Sequence, residues 1–103
     1  MMNAAKELLT FIENSPSMFH SIETIKGMLD EAGFTYLPER TRWDVKQGGT
    51  YYTIRNHSSI IAFRVGKELG DYHFQMCASH SDSPTYKIKN VPELNGPGEY
   101  LRL

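Results

Sequence analysis

With a single cysteine, Cys77, among 103 residues, this chain has no internal disulfide to hold it together, and a reducing compartment is its expected home. Met76 and Ala78 flank that cysteine, and apolar neighbours of this kind predict a core position. No stretch approaches the roughly 18 consecutive apolar residues of a membrane span, and the N-terminus lacks a basic segment leading into an apolar run. A cytoplasmic protein with no membrane partner is the expectation. Neither charge is in surplus: 11 Lys and Arg stand against 12 Asp and Glu, a net charge of −1. The charges are also scattered, which argues against nucleic acid as a partner. HExxH, CxxC, a Gly-rich phosphate loop and a nucleophile elbow are all missing, as are internal repeats and low-complexity tracts.

What is present is enough for one modest core, since 40% of the residues are hydrophobic and 12% aromatic, the composition of a folded domain or part of one. Ala5, Leu8, Leu9 and Ile12 recur at helical spacing, predicting a helix that stops near Asn14. Ser15 and Pro16 supply a second start, because serine caps free amides and proline is tolerated in the first turn. Met18, Ile22, Ile25, Leu29 and Ala32 continue that helix to a glycine cap at Gly33. Lys6 and Lys26 against Glu7, Glu13, Glu23, Asp30 and Glu31 mark the solvated faces of both helices.

Residues 34–43, with Pro38, read as irregular chain. "QGGTYYTIRNHSSIIAFRVG" then predicts a turn at Gly48 and Gly49, a strand, a loop around Asn56, His57 and Ser58, and a second strand. Ile60, Ile61, Ala62 and Phe63 lack polar alternation, which predicts a central strand covered on both faces. "YHFQMCAS" (72–79) reads as a third strand, Phe74, Met76 and Ala78 facing one way and His73, Gln75 and Cys77 the other. A short strand over 85–89, a loop at 95–98 and a strand start in "EYLRL" follow. The predicted class is α/β, with helices layered on a mixed β-sheet. Such a sheet needs further strands and helices, so the expectation is a chain cut inside a domain.

The chemistry gathers in "CASHSDSPTYKIK" (77–89). His80 and Asp82 fall where a strand would reach its carboxyl edge, the usual place for sites in open α/β sheets. A neutral imidazole can ligate zinc through one ring nitrogen while a nearby carboxylate accepts the other N–H and fixes the tautomer. Pro84 stiffens the exit by biasing Ser83 toward extended backbone. Taken alone, His-x-Asp is more often a hydrogen-bonded loop than a ligand pair, and a zinc site needs at least three protein ligands. His20, His57 and His73 show no ligand spacing to it. Glu93 and Glu99 read as surface residues, and Lys87 and Lys89 as strand-face charges.

Several stretches together narrow the choice. "SPSMFH" (15–20), "LDEAGFTYL" (29–37), Trp43, "GGTYYTIRNHSSIIAF" (48–63), "VG" (65–66) and "ASHSDSPTYKIK" (78–89) occur in an order and spacing that resembles the aspartyl aminopeptidase family of zinc metallopeptidases. The resemblance implies a two-zinc exopeptidase that removes N-terminal, typically acidic, residues from peptide substrates and assembles as a homo-oligomer. It implies His80 as a zinc ligand and Asp82 as the carboxylate that orients a ligand and supports catalysis. Ser81 stands where threonine is commonest, and Met18 where proline is frequent. The resemblance makes residues 1–103 the incomplete N-terminal portion of the catalytic domain, with no second domain; the bridging carboxylate, general base and remaining ligands are expected beyond residue 103, so the 103-residue chain alone should be inactive and bind zinc weakly. The alternative is a non-catalytic module that keeps the framework for self-association through unpaired sheet edges.

Overall fold

The computed structural model of the chain describes residues 3–84, 86, 88–96, 98 and 101–102. Helix α1 (Ala4–Glu13) starts at Asn3, whose side-chain oxygen accepts from the Lys6 amide at 2.8 Å, the bond that satisfies one of the free amides of a first turn. It stops at Asn14, as its periodicity predicts. Helix α2 (Met18–Glu31) begins two residues later than the serine–proline pair suggests. Ser17 rather than Ser15 is the cap: its Oγ accepts from the His20 amide and also bonds His20 Nδ1 at 2.7 Å. Ser15 instead turns its hydroxyl to Thr24 Oγ1, which itself bonds back to the Asn14 carbonyl, so the linker is tied to α2.

At its other end α2 closes as predicted on Gly33. With φ at +83°, Gly33 donates to the Asp30 carbonyl while Phe34 donates to that of Leu29, the paired bonds of a Schellman cap. The chain therefore reverses directly into β1 (Thr35–Tyr36), a strand inside the segment read as irregular. β1 runs parallel to β2 (Thr50–Arg55), with Thr35 opposite Tyr51 and Tyr36 opposite Tyr52. A parallel pair requires a crossover of a dozen residues or more, and residues 37–49 supply it. β3 (Ser59–Arg64) pairs antiparallel with β2 from Thr50↔Arg64 to Arg55↔Ser59, giving the order β1-β2-β3. The predicted hairpin is thus present and the sheet is mixed.

Burial falls one strand earlier than the apolar run of residues 60–63 suggests. The buried side chains are Ile22, Leu37, Tyr51, Tyr52 and Thr53, and Ile61 on β3 is 66% exposed. β2 is central because β1 and β3 pair with its two edges, and both its faces are covered: Tyr52 meets α2, while the Tyr51 hydroxyl accepts from the Lys46 amide and Arg55 pairs with Glu39, both in the crossover. β3 is an edge strand among the described residues. The crossover turns back through Gly49, where a Cβ would fall inside the Tyr51 ring.

Tyr52 also anchors a polar link. Its hydroxyl donates to Asp30 Oδ1 at 2.6 Å, and Lys26 Nζ donates to Asp30 Oδ2 at 3.1 Å. The bonds from Tyr52 and then Lys26 hold the Asp30 carboxyl below the usual carboxylate range. Burial, followed by the bond to Asp30, raises the Tyr52 phenol, and the bond to Asp30 raises Lys26.

Beyond β3 the chain departs from this unit. Residues 72–79, predicted as a third strand, pair with nothing among the described residues, and Cys77, predicted as core, is exposed. The reason is shared: a strand exists by hydrogen bonding to a neighbour, and no described strand lies alongside to pair or cover it. Only an edge-on contact between Tyr72 and Phe74, ring centres 6.0 Å apart, reflects the alternation of extended chain. A short hairpin of β4 (Leu94–Asn95) and β5 (Leu101–Arg102) follows. The strand predicted over 85–89 and the loop at 95–98 lie partly outside the described residues, as do Lys87 and Glu99. The radius of gyration, 20.2 Å, exceeds the roughly 13 Å of a compact domain this size.

Candidate functional site

His80 and Asp82 do not cap a sheet strand, as the sequence predicts; they sit on unpaired chain near the tip of the β2–β3 hairpin. They nevertheless meet. His80 Nδ1 lies 2.8 Å from the Asp82 carbonyl oxygen and 3.1 Å from its Oδ1. A carbonyl and an ionised carboxylate only accept, so Nδ1 carries the proton and donates. In the neutral ring the lone pair is then on Nε2, the tautomer a metal-ligating histidine needs when a carboxylate holds its other nitrogen. Both side chains are open to solvent, at 81% and 73% exposed, so the bond costs little desolvation and orients more than it stabilises.

The donor set fits a zinc site in part. His80 with Asp82 behind it makes one ligand and its orienting partner, but no three His, Cys, Asp or Glu residues converge among the described residues. No other histidine joins them in a group of three ligands among the described residues: His20 serves the α2 cap, His57 occupies the hairpin tip next to Ser58 with φ at +54°, and His73 lies on the unpaired chain. Glu93 is exposed.

One contact has no signal in composition or periodicity. Ser81, between the two candidate residues, donates its hydroxyl to the Ser58 carbonyl at 2.8 Å across 23 positions of sequence. Its mark in the structure is burial: Ser81 is half-buried between the exposed His80 and Asp82.

Residues 11–102 match the model of the aminopeptidase I zinc metalloprotease (M18) family. The chain is 42% identical over 100 residues to a probable M18 family aminopeptidase 2 of Clostridium novyi (strain NT), covering 96% of this chain and 23% of that protein. Among solved structures, it superposes with a TM-score of 0.81 at 35% identity on a chain of the Ape4 and Nbr1 complex, covering 94% of this chain and 19% of that one. A second superposition, on the S. cerevisiae mApe1 dodecamer, has a TM-score of 0.58 at 35% identity and covers 63% of this chain and 16% of that one. The chain thus spans under a quarter of the length of the relatives it matches. With the family model covering all but its first ten residues and its last, this chain belongs to the M18 family of zinc aminopeptidases.

Proposed function

We infer that the chain forms the N-terminal part of the catalytic domain of a zinc-dependent aminopeptidase that removes N-terminal, acidic residues from peptides. The observation that carries this reading is the His80 ring, locked by Asp82 with Nε2 free. In it His80 supplies one zinc ligand and Asp82 keeps that ligand in its tautomer and orientation. Zinc, when bound, polarises the scissile carbonyl and acidifies a water. Asp82 also leaves an oxygen, Oδ2, for a second proton or a neighbouring ligand. The further ligands and the base belong to the greater length of the relatives, and the same added chain would cover Leu8, Leu9, Ile12 and Ile61, all more than half exposed here. A homo-oligomer is part of this reading, supported by the dodecamer named for the S. cerevisiae neighbour, and so is a cytoplasmic site, supported by the lone cysteine.

The test is mutagenesis in the complete enzyme that carries this segment. His80→Ala should remove most peptidase activity and lower zinc content measured by atomic absorption. Asp82→Asn should keep more of the metal while losing roughly 10- to 100-fold in rate. An active, fully metallated His80→Ala enzyme overturns the reading.

The exposed apolar surface of α1 and β3 also suits a second reading, a non-catalytic module that self-associates. The reading frame downstream of Leu103 separates the two. Several hundred further residues rich in Asp, Glu and His support the enzyme, and an immediate stop codon supports the module.

A further inference from the structure

We propose that Ser81 is a positioning residue: its bond to the Ser58 carbonyl makes the β2–β3 hairpin tip the base on which His80 and Asp82 stand. The proposal rests on the zinc-aminopeptidase reading for its consequence, though not for the contact itself. Among the described residues 66–84, Ser81 makes the sole hydrogen bond to the helix–sheet unit, and it is the one residue there that is not exposed. His80 and Asp82 are exposed on either side of the half-buried Ser81, the alternation that sends neighbouring side chains to opposite sides of the chain. Tethering Ser81 inward therefore directs the imidazole and the carboxylate outward together, with the Nδ1–Asp82 bond already made.

The base is itself held firmly. Asn56 and His57 both have positive φ, 53° and 54°; asparagine visits that region readily, whereas histidine keeps it only where the surroundings determine it. Those surroundings are visible: the Ser58 amide and the Ser59 hydroxyl both donate to the Arg55 carbonyl, and Arg55 Nε is bonded to Glu39 at 2.8 Å. Ser58 lies outside the strand ladder, whose last pair is Arg55↔Ser59. A ligand placed through such a contact loses affinity when the contact goes, as partners behind a metal ligand do.

The complete enzyme with Ser81→Thr and Ser81→Val provides the test, since the two side chains share a shape and differ in the hydroxyl. Ser81→Thr should keep the wild-type zinc affinity, measured by competition with a chelator. Ser81→Val and Ser81→Ala should bind zinc roughly 10- to 100-fold more weakly and lose kcat with little change in KM. Amide hydrogen exchange of residues 79–83 in the metal-free protein should quicken in both hydroxyl-less variants and not in Ser81→Thr. Equal zinc affinity and equal exchange across the three variants would overturn the proposal. If exchange quickens while His80→Ala retains its zinc, the tether stands and the zinc reading falls. Unchanged exchange with a zinc-deficient His80→Ala removes the tether alone.

Discussion

A histidine becomes a usable ligand only when its tautomer is chosen for it, and Asp82 does so with two acceptors on one ring nitrogen. Because both partners are exposed, losing the carboxylate should affect function far more than stability. Thr53 is the converse case. It is buried on the central strand with an Oγ1 that has no hydrogen-bond partner among the described residues, and a buried hydroxyl left unpaired costs about 1–3 kcal/mol. Thr53→Val keeps shape and strand preference while removing that hydroxyl. It should raise stability by about 1 kcal/mol, or roughly 4–8 °C in melting temperature, followed by calorimetry of the 103-residue chain. A lower melting temperature would show that Thr53 has a partner after all.

Between residues and the whole lie the joints of the elements. The β2–β3 turn places Asn56 and then His57 at positive φ, where Asn-Gly is the preferred pair. His57→Gly should relieve that strain and stabilise by about 0.5–1 kcal/mol, after the extra freedom glycine brings to the unfolded chain; chemical denaturation measures it.

The α2–β2 joint depends on pH through Tyr52 and Asp30. Asp30 titrates below its ordinary value of 3.8 when folded, so its contribution is present above that pH and fades as acid protonates the folded carboxylate. Tyr52 titrates above its ordinary 10.0 and Lys26 above 10.5. The unfolded chain therefore loses those protons first, and stability falls as pH rises past about 10. Tyr52→Phe should lower the melting temperature near neutral pH by on the order of 5 °C. It should also flatten both limbs of the melting temperature plotted against pH, and an unaltered acid limb would show that Lys26 alone holds Asp30.

For the molecule as a whole, the uncovered surface is the controlling fact. Leu8, Leu9, Ile12, Ile61, Phe74, Met76 and Ile88 are each more than half exposed, more apolar side chain than an isolated folded unit ordinarily leaves in water. With no three ligands converging among the described residues, the 103-residue chain on its own should show no peptidase activity and bind zinc weakly, and its uncovered surface should make it self-associate with rising concentration in sedimentation velocity. Peptidase activity from the purified chain would mean that the metal site is complete within it.

Local order determined much of this from sequence alone. Helical spacing, a glycine able to take positive φ at Gly33, turn residues at 48–49 and 56–58, and a histidine two residues from an aspartate all act within a few positions. Their outcomes, α1, α2, the hairpin and the His80–Asp82 contact, follow from nearby chemistry. Tertiary structure decided the rest. β2 is central because β1 and β3 pair with its two edges, β3 is an edge among the described residues, and burial falls on β2 because α2 and the 37–49 crossover both pack there, which no run of apolar residues in β3 reveals. Residues 72–79 have the pattern of a strand but no described neighbour to complete it, because a strand's hydrogen bonds belong to its partner as much as to itself. The seating of Ser81 on Ser58, 23 positions away, likewise depended on where the folded hairpin tip came to lie.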